Sequence, residues 1–335
     1  MEILSRVHAR TLVHWAADRP EVVVLSADLT SSTEADLFRD RYPDRFFSVG
    51  MAEQTMLSVA GGLAREGFRP FLHTFAVFLY RRALDQLSMS VAYPNLPVRL
   101  FGFLPGITTP GGATHQAIDD IAVLRALPNL TILETGDATD VESVLDVADA
   151  VPGPVYVRML RGEIPRLFDA GQPMRLDRAR ILGRGDDIAL VSSGICTEEA
   201  MRATAVLRAR GVSIHHLHVS TLKPFTDPAV VEAVTAARHG VITMENHTTI
   251  GGLGSAVAEV MAEAGIGRRL VRIGLRDRYA HGASRPYLMR EYGLDALALV
   301  ATVEGLLGER LGIGEEDLAA VRIGPLHDSA RAEAL

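Results

Sequence analysis

The 335-residue chain holds a single cysteine, Cys196. One thiol cannot build an internal disulfide framework, and its scarcity fits a reducing compartment. Positive charge is also in short supply: 34 Lys and Arg stand against 41 Asp and Glu, a net charge of −7. The basic residues are scattered, which speaks against nucleic acid or an anionic membrane surface as a partner. No apolar run reaches the roughly 18 residues that a membrane span requires. The opening stretch through Trp15 is amphipathic, interrupted by Arg and His, and has no cleavage pattern. Neither a signal peptide nor a membrane span is expected. These absences point to a cytoplasmic globular protein.

What is present is ordinary for that class, with 48% hydrophobic and 22% charged residues. Length predicts two domains at about 150 residues each. A helix is expected over 3–18, ended by Arg19-Pro20, then a buried strand over Glu21–Ser26 and a helix over 34–40. Next come a strand Arg69–His73, a helix from Thr74 to near Tyr93 and a strand Leu96–Phe101. Helix Asp119–Ala126, strand Leu130–Glu134, helix Ala138–Ala150 and strand Val155–Val157 follow. Short apolar strands alternating with helices mark a parallel, doubly wound sheet. Residues 162–186 lose periodicity and mix Gly, Pro and charge, as a domain boundary does. A second α/β unit then reads strand Ile188–Ser192, helix Thr197–Arg210, strand Val212–Leu217 and helix Pro228–Ala237. It continues with strand Gly240–Met244, helix Leu253–Ala264 and strand Leu270–Ile273. The expected organisation is a first domain over 1–165, a linker over 166–186, a second domain over 187–310 and an exposed tail over 311–335.

Several residues stand out for chemistry. Glu53 sits in the first turn of a helix in which Ala52, Met56, Val59, Ala60 and Leu63 recur at helical spacing and should face inward. A first-turn acid also suits the helix dipole without any further role. Ala27–Thr33 follows the first strand at its C-terminal end, where open α/β sheets place ligands. There Ser31, Ser32 and Thr33 can cap the next helix or meet a phosphate, and the two uses are compatible. The loop Gly102–Thr114 is long and rich in Gly and Pro, a kind that is usually functional in a compact domain. It ends at His115-Gln116; a histidine titrates near neutrality and suits a proton relay, though an isolated one is often structural. Arg161 offers a guanidinium for phosphate or carboxylate, or is a solvated linker residue. His215, His216 and His218 share a strand without the Cys or acid that would complete a metal set, so they read as structural, as does Cys196. Gly251, Gly252 and Gly254 have the wrong spacing for a dinucleotide fingerprint.

The helix Glu53-Gln54…Met56…Ala60, with Thr74-Phe75…Phe78 after it, resembles the pyrimidine-binding domain of transketolases, which use thiamine diphosphate. The resemblance implies that Glu53 is the acid that hydrogen-bonds and activates the aminopyrimidine, that Phe78 stacks on that ring and that Phe75 lines the pocket. It places Arg81 among the cofactor contacts as well. A positioned carboxyl group can mediate the ring's proton shuttle at neutral pH, and aromatic walls suit a flat heterocycle and exclude water. Ala27-Asp28-Leu29-Thr30…Ser32 is similar to a family loop whose last Ser contacts a substrate phosphate, the place of Ser32. Arg161, four residues before Pro165, resembles a family phosphate-binding Arg, and Arg6 lies one residue out of register with another. Ala113-Thr114-His115-Gln116 is similar to a family motif whose His faces the reacting carbon, which implies that His115 binds substrate and relays a proton. The segment Glu245-Asn246-His247…Gly251-Gly252 resembles the transketolase C-terminal domain, which mainly builds a dimer interface.

The chain departs from the family where donor sugars are recognised. Gly111 stands where the family carries an Asp, and Phe103 roughly where it carries a His. Losing hydroxyl partners should relax or redirect substrate choice. The Gly-Asp-Gly motif that holds Mg²⁺ and the diphosphate is missing; Gly136-Asp137-Ala138 and Gly185-Asp186-Asp187 are no substitutes, so no metal ligand is expected from this chain. The resemblance covers residues 1–310 and implies two doubly wound α/β domains, the pyrimidine-binding and C-terminal domains of a split transketolase. A separate N-terminal subunit would grip the diphosphate and Mg²⁺, most simply in a two-plus-two heterotetramer, with self-association through the C-terminal domain. The implied reaction moves a two-carbon ketol unit from a ketose, phosphorylated or atypical, to an aldehyde. Two other readings remain open: the β subunit of a 2-oxo acid dehydrogenase, and a non-catalytic homologue. Length sets the chain apart from a one-chain 1-deoxyxylulose-5-phosphate synthase.

Overall fold

The runs Val22–Ser26, Arg69–Phe75, Arg99–Phe103 and Val155–Met159 pair in parallel at the centre of one sheet, almost wholly buried. Strands covered on both faces lose polar alternation, which is why they read as unbroken apolar segments. The computed structural model describes residues 2–321. Among these, a seven-stranded sheet runs in the order Thr221–Lys223, Thr131–Glu134, Val155–Met159, Arg99–Phe103, Arg69–Phe75, Val22–Ser26, Phe46–Ser48. A five-stranded sheet runs Leu270–Leu275, Gly240–Thr248, Ile188–Ser192, Ile214–His218, Arg180–Gly183. A two-stranded ribbon pairs Ile3–Ser5 with Glu163–Pro165. The two larger sheets, with their intervening helices, form the doubly wound α/β architecture in two units.

The units are stitched together. Thr221–Lys223 follows a strand of the five-stranded sheet in the chain, yet it pairs antiparallel with Thr131–Glu134 at the edge of the other. His216 and His218 lie on one face of Ile214–His218 and are buried in a polar chain. Ser192 Oγ meets His216 Nε2 at 2.8 Å, and Thr197 Oγ1 meets His218 Nδ1 at 2.7 Å. His218 Nε2 reaches Asp140 Oδ2 at 3.1 Å, across the seam on helix Ala138–Ala150. These histidines are structural.

Several elements differ from expectation for local reasons. Arg6 adopts a left-handed conformation (φ 52°), so residues 3–18 split into strand Ile3–Ser5 and helix Val7–Trp15. The long helix expected after Thr74 breaks into Ala76–Arg81, Leu84–Gln86 and a π-helical turn, Leu87–Ala92. The aperiodic linker supplies the edge strand Arg180–Gly183. Helices Arg285–Glu291, Ala296–Leu307 and Glu315–Ala320 close the second unit. The last lies in the stretch expected to be exposed, but Ile313 and Leu318 are buried in the core that helix Cys196–Ala209 lines. Residues 322–335, the remainder of that expected tail, lie outside the described residues. No described helix is long and apolar enough to cross a membrane.

The helix Glu53–Arg65 positions the site. It buries Glu53, Met56, Leu57, Ala60, Gly61 and Ala64, a stripe at i, i+3, i+4, i+7, i+8 and i+11. The inward face is therefore rotated from the expected one: Val59 is 41% exposed, and Glu53 belongs to the buried stripe. Gly61 accounts for the rotation, because a Cβ there would fall 2.5 Å from the Ser90 carbonyl oxygen on the π-helical turn. Burying Met56 and Leu57 adds roughly 2 kcal/mol each to the same orientation.

Candidate active site

Glu53 opens its helix and is 3% exposed. Both carboxylate oxygens accept from Arg82 Nη1, at 3.1 and 3.2 Å. The Arg82 guanidinium also lies 3.9 Å over the Phe78 ring. Phe78 stacks on Phe75, with centroids 5.9 Å apart at 28°. His115 meets both rings edge-on, at 5.5 Å from Phe78 and 6.1 Å from Phe75. Its Nδ1 lies 2.9 Å from Thr114 Oγ1. The structure thus joins Glu53, Phe75, Phe78 and His115 in one place, as their residue types require for a flat, partly polar ring.

Arg161 links this group to a second one, its guanidinium 5.9 Å from the Phe75 ring. Arg161 and Arg6 both lie close enough to Glu34 to act on its charge. Glu34 is buried, with φ +56°, and accepts from Gly162 N at 2.8 Å and Ala9 N at 3.3 Å. Burial raises its pKa, opposed by those two backbone bonds and by the two arginines. Arg6 also pairs with Asp36. Ser32, half-buried, belongs to the loop that carries Glu34. The Arg161 guanidinium beside Phe75, with Arg6 near the same Glu34, can hold the anionic end of an elongated ligand.

Arg81 does not join the cluster. It donates to Asp119 Oδ1 at 2.7 Å and to the Ala113 carbonyl at 3.3 Å, so it braces the His115 loop instead. The adjacent Arg82 reaches Glu53. A sequence signal existed for it: Phe75, Phe78 and Arg82 recur at i, i+3 and i+7, one helical face that omits Arg81. Phe103 pairs in register with Phe75 on the neighbouring strand, but its ring is fully buried, 5.5 Å from His8 and 5.9 Å from His73. Burial lowers both histidines, His73 to about 4. At Gly111 a Cβ would come within 3.0 Å of His115 Cβ, so a side chain there would press on the imidazole. Glu34 escaped the sequence reading because it sits in no recognisable motif, and Gln116, though it ends the Thr114-His115 motif, was given no role.

A cavity of about 330 Å³ lies between the two units. Arg161, Met159 and Thr108 line it with Arg202 and Arg285, whereas Glu53, Phe78 and His115 do not. The residues around Glu53 fit an aminopyrimidine: a buried carboxylate for a ring nitrogen, two phenyl faces and a histidine edge. No group of three or more His, Cys, Asp or Glu side chains among the described residues is arranged to hold a metal ion.

Residues 4–166 match the family described as transketolase, pyrimidine binding domain, and residues 177–299 match transketolase, C-terminal domain. The chain is 39% identical over 304 residues to an uncharacterized transketolase family protein, y4mN, of Sinorhizobium fredii, covering 90% of this chain and 88% of that one. It is 36% identical over 299 residues to the 6-deoxy-6-sulfo-D-fructose transketolase subunit SqwH of a Clostridium species, covering 89% and 92%. A solved structure described as a split gene transketolase, inactive beta4 tetramer, superposes with a TM-score of 0.81 at 36% identity, covering 90% of this chain and 97% of that one.

Proposed function

This chain belongs to the transketolase family, and on that premise we propose that it is the C-terminal subunit of a two-chain, thiamine-diphosphate-dependent transketolase. The carrying observation is Glu53, a buried carboxylate whose partner Arg82 also lies over Phe78, in the aromatic group that Phe75 and His115 complete. Bound thiamine diphosphate would supply a nucleophilic carbon. Glu53 would hold the aminopyrimidine and exchange a proton with its ring nitrogen. Arg82 is 48% exposed in its side chain, so it can leave Glu53 for solvent when the ring arrives. Phe75 and Phe78 form the apolar floor and exclude water. His115, at their edge, would take or give the proton on a substrate hydroxyl. Arg161, Arg6 and Ser32 would bind the distal anion of a ketose, a phosphate or another acidic group such as the sulfonate named for SqwH. Gly111 offers no carboxylate where the family's Asp reads a hydroxyl, which favours an atypical donor.

A separate subunit would bind the diphosphate and Mg²⁺, and copies of this chain would self-associate through the second unit. In support, the split-gene relative is described as inactive in its β4 form. The test is reconstitution. The purified chain with thiamine diphosphate and Mg²⁺ should show no two-carbon transfer from fructose 6-phosphate or its 6-sulfo analogue to an aldehyde. Adding the companion diphosphate-binding subunit should start it. Turnover by the chain alone, or none from the pair with either donor, overturns the proposal.

A further inference from the structure

The loop that carries His115 leaves strand Arg99–Phe103 of the first sheet, but much of what holds it belongs to the second unit. Asn246, on strand Gly240–Thr248, is 1% exposed. Its Oδ1 accepts from Ile107 N at 2.9 Å, and its Nδ2 donates to the Pro105 carbonyl at 3.0 Å. Those two groups lie at the start of the loop, two residues apart. A side-chain amide is the uncharged group that offers a fixed donor and acceptor together. The backbone between them is shaped to receive it: Gly106 has φ +61°, and a Cβ there would fall 2.2 Å from Asn246 Oδ1.

Other contacts extend the grip. Ile107 and Ile118, on either side of His115, are buried in the core of the second unit. Thr248 N donates to the Ile118 carbonyl at 2.7 Å, and Gln116 Nε2 donates to the His281 carbonyl at 3.2 Å. The loop also closes on itself, through Gly106 N to the Ala117 carbonyl at 2.8 Å, His115 N to the Gly112 carbonyl at 2.9 Å, Thr108 Oγ1 to the Pro105 carbonyl at 2.8 Å and Gln116 Nε2 to the Thr109 carbonyl at 3.2 Å, but these bonds do not tie it to either sheet. A loop rich in glycine gives up much conformational freedom when ordered, so its geometry depends on such outside partners.

We propose that Asn246 is a positioning residue for the reaction: it clamps Pro105–Ile107 and through them fixes His115 over the Phe75–Phe78 pair. On the transketolase reading, the second unit then sets the catalytic geometry of the first. A misplacement of about 1 Å at such a distance from the chemistry can cost roughly 100-fold in rate.

The test uses the full chain, with Asn246→Ala, Asn246→Asp and, from the loop side, Gly106→Ala. Hydrogen–deuterium exchange at amides 104–117 should quicken about tenfold in each variant, as expected for about 1.4 kcal/mol of lost hydrogen bonding, while amides 56–65 stay unchanged. Asn246→Asp keeps the shape but sets a carboxylate against the Pro105 carbonyl, so it should exchange as fast as Asn246→Ala. In the reconstituted complex, kcat should fall about 10- to 100-fold, with the KM for thiamine diphosphate within about twofold. Unchanged loop exchange, a parallel rise over 56–65, an Asp variant that matches wild type, or a drop in cofactor affinity equal to that in kcat would each overturn the clamp. Exchange needs no substrate, so it judges the clamp even if the wild-type pair proves inactive, an outcome that bears on the functional proposal alone.

Discussion

Two clusters of charge in this chain obey opposite rules. At the seam between the sheets, Arg158 is fully buried and donates to Asp120, Glu134 and the carbonyls of Ala117 and Asn246. Tyr156 adds a 2.7 Å bond to Asp120. At the pocket, Glu53 is buried as deeply as Glu134, yet its cation Arg82 has 48% of its side chain in solvent. A network closed within the interior fixes an arrangement, because removing any member strands its partners. A buried acid with an exchangeable, water-facing partner is free to take a ligand instead. Accessibility of the partner, more than burial of the acid, separates the two.

That contrast can be broken in four ways. The largest effect is expected at Glu53: Glu53→Ala in the reconstituted complex should lower kcat by about 100-fold or more, while the chain's urea midpoint stays close to wild type. Retained turnover would make Glu53 a structural acid and erase the distinction. Arg158→Met should do the reverse, costing about 3–5 kcal/mol in urea unfolding by leaving Asp120 and Glu134 without their cation. A loss below about 1 kcal/mol would show that the seam is not a closed network.

The third test is pH. Burial pushes Glu245 up from its ordinary 4.5 to about 8, despite bonds from Leu253 N and Gly254 N that favour the ionised form. The folded chain then keeps a proton that the unfolded chain has released, so stability drains away as pH rises from about 4.5 to about 8. Melting temperature followed through that range should decline more steeply in wild type than in Glu245→Gln; equal slopes would exclude Glu245 as the source. The smallest effect is expected for Arg82→Ala, less than about 1 kcal/mol in stability for a half-exposed ion pair. A larger loss would place Glu53–Arg82 among the structural pairs.

The sequence carried the interior well and the rotations poorly. Ile188–Ser192 and Ala138–Ala150 lie where their patterns place them, the latter begun by Asp137 accepting from Asp140 N at 2.9 Å. Short apolar runs and helical periodicity are local signals, and they survive folding. The helix of Glu53 was legible as a helix, but its inward face was not. A glycine carries no hydropathy, so nothing in the pattern announces that Gly61 must meet the Ser90 carbonyl and turn Val59 outward. The choice of Arg82 over Arg81 depends on helical phase, which the break after Arg81 obscures. Glu34 and Asn246 act through partners 128 and more than 130 residues away, and no window of sequence contains both ends of such a contact.

The short strand Thr221–Lys223 sets a rule for anyone who would cut or graft this molecule. It covers the outer rim of Thr131–Glu134, so a fragment ending in the linker would carry a bare strand into solution and invite self-association. A transplant of the pocket has to bring the crossing strand with it; the seam visible in composition is not a seam along which the protein comes apart.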